Sequence, residues 1–144
     1  MEDFMGKQLL TAASLLMGLG LCAGPAHAQA GGVRVTVPFR FSVTGKTFAA
    51  GDYTMVVGSH RVSVVSQADG RTVALALAND ISGHAAGASG RIVFHCYGER
   101  CFLAEIWSPI QENGRQLLIS PAEAESGRER HGTYFAILGT KPQK

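Results

Sequence analysis

The sequence predicts an all-β fold, a single antiparallel β-sandwich or small β-barrel of about eight or nine short strands with one short helix near the C-terminus. Three observations carry this expectation. Apolar residues recur with period 2 in short runs, turn signals interrupt those runs, and helical periodicity is nearly absent. A parallel α/β fold is set aside because the crossover helices that join parallel strands are missing.

The folded part is expected to follow an export signal. Residues 9–23 form an apolar run broken only by Thr11, Ser14 and small side chains. A bilayer span needs roughly 20 residues; a run of about 15 fits the hydrophobic region of a secretory signal. Gly24 and Pro25 then break any helix, and Ala26-His27-Ala28 places small side chains at both subsites a signal peptidase reads. Cleavage is expected between Ala28 and Gln29, with a cut after Ala30 as the alternative of the same form. Glu2 and Asp3 stand where positive charge is usual, while a start at Met5 would give the ordinary basic opening Met5-Gly6-Lys7. Cys22 follows Leu21 rather than the small residue of a lipoprotein signal, so lipidation is not expected, nor is an uncleaved anchor.

Residues 29–144 then form a single β-rich domain of 116 residues, enough for its own core. Twelve basic and nine acidic side chains leave it a net charge of +3, and the basic residues are scattered. Nucleic-acid binding would need a stripe of them, so it is excluded. No second apolar run reaches membrane-spanning length. The mature chain is expected to lack a transmembrane segment and to reach the periplasm or the medium.

Val33, Val35, Val37, Phe39 and Phe41 alternate with polar residues and Pro38, giving a first strand with one face in a core. Proline cannot donate to a ladder, which places this strand on an edge or bends it at Pro38. Thr44-Gly45 turns the chain into residues 46–48, and Ala50-Gly51-Asp52 turns it into a strand over 53–57. Residues 61–66 and 72–78 are joined by the hairpin signal Asp69-Gly70. In the second of these, Val73, Leu75 and Leu77 share one side and small residues the other. Residues 79–90, rich in Gly, Ala and Ser, read as a long irregular connection.

Strands at 91–97 and 100–107 form the clearest hairpin, followed by a strand at 115–119. Ser120-Pro121-Ala122-Glu123 is a helix start with an N-cap, proline at the first position and a capping-box glutamate. That helix is expected to run to about Arg130. Residues 133–138 make the last strand.

Two cysteines survive cleavage, and in an oxidising compartment an even pair is read first as a disulfide. With Gly98-Glu99 as a two-residue turn, Tyr97 faces Arg100, Cys96 faces Cys101, His95 faces Phe102 and Phe94 faces Leu103. The second pair from such a turn is not hydrogen-bonded, which brings its Cα atoms within bridging range. A structural Cys96–Cys101 disulfide is expected. A redox pair is disfavoured by the four-residue spacing and the lack of a thiol-activating environment beyond Arg100. The same pairing assigns Ile92, Phe94, Cys96, Cys101, Leu103 and Glu105 to one face. Val93, His95, Tyr97, Phe102, Ala104 and Ile106 fall on the other, so both faces should be covered.

The mature histidines, His60, His84, His95 and His131, have no metal-ligand spacing. Nucleophile-elbow, phosphate-loop and dinucleotide motifs are missing. No catalytic, cofactor-binding or metal-binding residue is assigned, and no cofactor is expected. Tyr97, Phe102 and Trp107 are candidates for ligand contact or for the core.

Three stretches carry a resemblance. They are Val37-Pro38-Phe39-Arg40-Phe41 through Gly45-Lys46-Thr47-Phe48 to Thr54, Arg91-Ile92-Val93-Phe94-His95 through Phe102 to Trp107, and Gly114-Arg115-Gln116-Leu117 through Ser120 to Glu125. In this order they resemble a family of small exported bacterial β-rich proteins of unknown function. The resemblance implies an envelope or secreted location and one compact β domain. It implies no catalytic residues and does not depend on Cys96 and Cys101.

The expectation that follows is a non-catalytic exported domain that binds a partner or contributes to an envelope structure. One alternative is a carrier of a small apolar ligand inside a barrel. Another is a hydrolase or redox protein, which would need His95 or His131 joined to a carboxylate and a hydroxyl, or a reactive cysteine pair. The partner, an envelope protein or an apolar ligand, is not specified by the residues.

Overall fold

The computed structural model describes residues 31–83 and 90–140. The export signal, the Ala28–Gln29 junction, Cys22 and His84 lie outside them. The described chain is all-β with one short helix. Its strands are β1 (Gly31–Val37), β2 (Phe41–Val43), β3 (Lys46–Phe48), β4 (Gly51–Val57), β5 (Arg61–Ser66) and β6 (Thr72–Ile81). They continue with β7 (Arg91–Tyr97), β8 (Arg100–Trp107) and β9 (Gly114–Leu117); helix α1 (Pro121–Glu129) then precedes β10 (Thr133–Leu138).

Four strands, β5, β7, β8 and β10, fall on the bounds expected from the sequence. The tenth strand arises at Pro38, which divides the expected first strand into β1 and β2. Freed from β1, β2 pairs with β3 and lies parallel to β8, Phe41 opposite Cys101. The antiparallel expectation therefore needs one correction, since the bend delivers β2 to β8 running the same way.

The ladder order is β1-β4-β5-β6-β9-β8. One edge of β8 carries β7 and then β10, and its other edge is shared by β9 and the β2–β3 hairpin. The sheet bends round one core. Two of its edges, β1 and the segment just after β10, meet at one bridge, where the backbones of Arg34 and Thr140 exchange two hydrogen bonds of 2.8 Å.

Inward residues of β1, β2 and β4 to β9 make one apolar cluster, with Phe41, Phe94, Met55, Ile92 and Ile106 fully buried. Each side chain of this size contributes about 1.5–3 kcal/mol by leaving water. Its centre is a run of edge-to-face rings: Phe39 on Phe94 at 5.1 Å, Phe94 on Phe41 at 5.5 Å and Phe41 on Tyr53 at 5.0 Å.

Three local expectations change. The irregular connection begins later, because Asn79, Asp80 and Ile81 extend β6 and pair with Gln116, Arg115 and Gly114. Arg115 makes this polar stretch a strand: its guanidinium lies 3.0 Å from Asp80 and donates to the Gly58 carbonyl at 3.1 Å. Leu118 and Ile119, assigned to β9, run beyond it.

The hairpin register holds from Tyr97–Arg100 to Phe94–Leu103 and then shifts, so that Val93 faces Glu105 and Ala104 is the extra residue of a bulge. One inserted residue exchanges the faces of all that follows. Ile106 therefore joins the core, and Glu105 turns outward to accept from the Trp107 indole N–H at 3.0 Å.

Candidate functional site

The β7–β8 hairpin brings together most of the chemistry-bearing residues. Gly98, at φ +64°, opens its two-residue turn, the conformation that a glycine-first type II′ turn requires. Cys96 and Cys101 stand opposite each other with Cα atoms 4.0 Å apart, and they are joined as a disulfide. Both face the core. The bridge fastens the tip of the hairpin beside β2.

On the outer side, α1 lies over β7. Ser120 caps it, its hydroxyl accepting from the Glu123 N–H at 3.2 Å. The reciprocal half of the capping box is diverted. The Glu123 carboxylate turns under the helix, buried, where its Oε1 lies 3.1 Å from His95 Nδ1 and accepts from the Tyr97 hydroxyl at 3.4 Å. The Tyr134 ring closes on His95 with centroids 4.0 Å apart. Burial, and then the negative charge of Glu123, push the Tyr97 hydroxyl above its ordinary pKa.

This cluster supplies a histidine joined to a carboxylate. It does not supply a nucleophile. His95 Nε2 has no hydrogen-bond partner among the described residues, the Tyr97 hydroxyl is on the carboxylate, and the Ser126 hydroxyl donates to the Ala122 carbonyl at 3.0 Å. A base must reach the hydroxyl it activates.

Tyr97, Phe102 and Trp107 do not line one pocket. Tyr97 borders a polar cleft of about 480 Å³ with Glu99, Arg100 and Arg130, and Phe102 is buried beneath it with ring centroids 6.0 Å apart. Trp107 is buried at the opposite end of β8, packed against Gly114, where a Cβ would come within 2.7 Å of the indole. Among the described residues no group of three ligating side chains could hold a metal, and no helix is long and apolar enough to cross a membrane.

A broad apolar surface lies elsewhere. On β6 the small residues Ala74, Ala76 and Ala78 face the core opposite Val64 and Val62 of β5, and the leucines face water. Leu75 is 54% exposed and Leu77 65%, and beside them Leu118 and Ile119 are 54% and 65% exposed. The Leu118 N–H donates to the Leu77 carbonyl at 3.2 Å, tying the two segments together. With Gly45 and Pro121 they form a groove of about 540 Å³. Alternation marks two faces of β6 without saying which is inward, because the alanines are apolar too. The crowded interior takes the smaller set.

No protein-family model, curated protein or solved structure matches the chain.

Proposed function

We propose that this chain is an exported, non-catalytic binding domain that engages an envelope protein through the outer face of β6 and residues Leu118 and Ile119. The observation that carries the reading is the groove. Four large aliphatic side chains, each more than half exposed, lie side by side and line one groove. Contiguous exposed apolar area of this kind marks interaction sites. The disulfide supports the export half of the reading, since such a bridge persists in an oxidising compartment.

The carrier alternative has less support, because the inward side chains pack against one another and the sheet's interior is filled by the Phe39–Phe94–Phe41–Tyr53 stack. The hydrolase alternative has a histidine–carboxylate pair, but among the described residues no hydroxyl bonds its other nitrogen.

A photo-crosslinking side chain placed at Leu77 in the exporting cell tests the reading. A discrete adduct that disappears when Leu118→Asp is added supports it. Adducts equal to those from an exposed polar position away from it, such as Glu99 at the β7–β8 turn, would remove the groove as the binding face.

A further inference from the structure

The outer side of the sheet carries two arginines that the topology sets side by side. Strands β2 and β8 run parallel, with Phe41 opposite Cys101 and Ser42 opposite Phe102. Arg40 and Arg100 each stand one residue earlier, so the same register makes them neighbours. Phe41 and Cys101 face the core, and alternation turns the residue before each of them outward. Both arginines are exposed, and both line one cleft of about 430 Å³.

Like charges set against each other across a sheet are destabilising. Elsewhere the fold answers such a charge. Arg115 has Asp80 at 3.0 Å and the Gly58 carbonyl at 3.1 Å. Arg40 and Arg100 are left unanswered, since neither has a carboxylate within 4.0 Å among the described residues.

The rest of the cleft supplies further donors. Ser42 and Thr47 line it, partners across the β2–β3 hairpin, with their hydroxyl oxygens 3.1 Å apart. One hydroxyl donates to the other, and the accepting hydroxyl keeps its own proton to give. The Arg100 guanidinium lies over the Phe102 ring, 5.7 Å from its centre, a contact that narrows its freedom before any ligand arrives. Glu99 also lines the cleft and brings one negative charge against the two guanidiniums.

We propose that this cleft binds a phosphate group, held between Arg40 and Arg100 with a hydroxyl of the Ser42–Thr47 pair donating to a remaining oxygen. Guanidinium forks match the spacing of phosphate oxygens and grip them bidentately. A phosphate monoester offers three terminal oxygens and close to two negative charges, enough to engage both forks beside Glu99. A carboxylate has two oxygens and one charge, which a single fork uses up. The site is separate from the β6 groove and does not rest on the reading of that groove.

The test follows the arginine Nε–H resonances of isotope-labelled protein, purified with the Cys96–Cys101 bridge intact, as inorganic phosphate is added at constant ionic strength. The expected result is saturable movement of Arg40 and Arg100 with a dissociation constant on the order of 1 mM. Arg40→Gln should weaken binding about tenfold by removing one charged fork. Glu99→Gln, on the exposed turn with both arginines kept, should tighten it about threefold by removing a like charge. Arg130→Gln should change it less than about twofold, because Arg130 lines a different cleft on the other side of Arg100. Vesicles of phosphatidylcholine with and without phosphatidic acid then identify the source. Cosedimentation only with phosphatidic acid assigns a lipid headgroup, and phosphate binding without cosedimentation assigns a soluble phosphate ester; either supports the proposal. No saturation by about 10 mM phosphate, tenfold above the expected constant, overturns it. So does an equal response to acetate, or a Glu99→Gln variant that binds no tighter. Equal weakening by Arg40→Gln and Arg130→Gln also overturns it, by assigning the effect to diffuse positive charge.

Discussion

The carboxylate of Glu123 lies 3.1 Å from Nδ1 of His95, so the first turn of α1 is fastened to the outer face of β7 by a buried polar contact. Tyr97 donates to the same oxygen. Glu123→Ala removes the shared acceptor of two side chains, and it should lower stability by about 2 kcal/mol, the cost of stranding buried hydrogen-bonding groups. Ser120→Ala, which removes only the cap, should cost about 1 kcal/mol. Urea unfolding of the two variants should give midpoints in that order.

The exposed leucines of β6 and its buried alanines should respond in opposite ways. Ala76→Leu forces extra methylene groups against Val62 and should destabilise by about 1–3 kcal/mol. Leu77→Ser, one residue on, should change stability by less than about 0.5 kcal/mol, as surface substitutions usually do. Thermal denaturation of the pair checks this. Equal effects would mean that the leucines are covered in the folded protein.

The disulfide closes a six-residue ring, Cys96 to Cys101. Replacing both cysteines with alanine should lower stability by about 2 kcal/mol in the chain-entropy estimate. The hairpin is otherwise held by its own ladder, so the variant should keep its far-ultraviolet circular dichroism while its denaturant midpoint falls.

Alkaline pH should destabilise the protein through Tyr53 and Tyr97. Burial raises the Tyr53 pKa, and burial together with Glu123 raises that of Tyr97. Above the ordinary value near 10.0, the unfolded chain loses protons that the folded chain retains, so stability falls as pH rises. The contribution is complete below pH 10 and is lost as pH passes through the raised folded values. Tyr53→Phe and Tyr97→Phe should each make stability less steep in pH over that range, and spectrophotometric titration should lose one high-pH phenolate step in each variant.

Much of this fold could be read from local pattern. Short apolar runs bounded by turn signals located β5, β7, β8 and β10 to the residue, and Ser120-Pro121-Ala122-Glu123 marked the start of α1. The Gly98-Glu99 turn fixed which residues face each other, which is why the cysteine pairing followed from it. Strand bounds, turns and caps depend on neighbours along the chain, and the sequence carries that information directly.

Tertiary structure decided the rest. A bulge at Ala104 exchanged Glu105 and Ile106 between faces, because the sheet's curvature rather than the hairpin's own pattern sets where an extra residue is accommodated. Packing against β5 put the alanines of β6 inside and its leucines in water. Glu123 left its capping role because His95 and Tyr97 were waiting beneath the helix, contributed by a strand distant in sequence. The bridge between Arg34 and Thr140 likewise exists only once the sheet has bent far enough for the two residues to meet. Alternation along a strand defines two faces and two edges, and only the packed chain determines which of them remain uncovered.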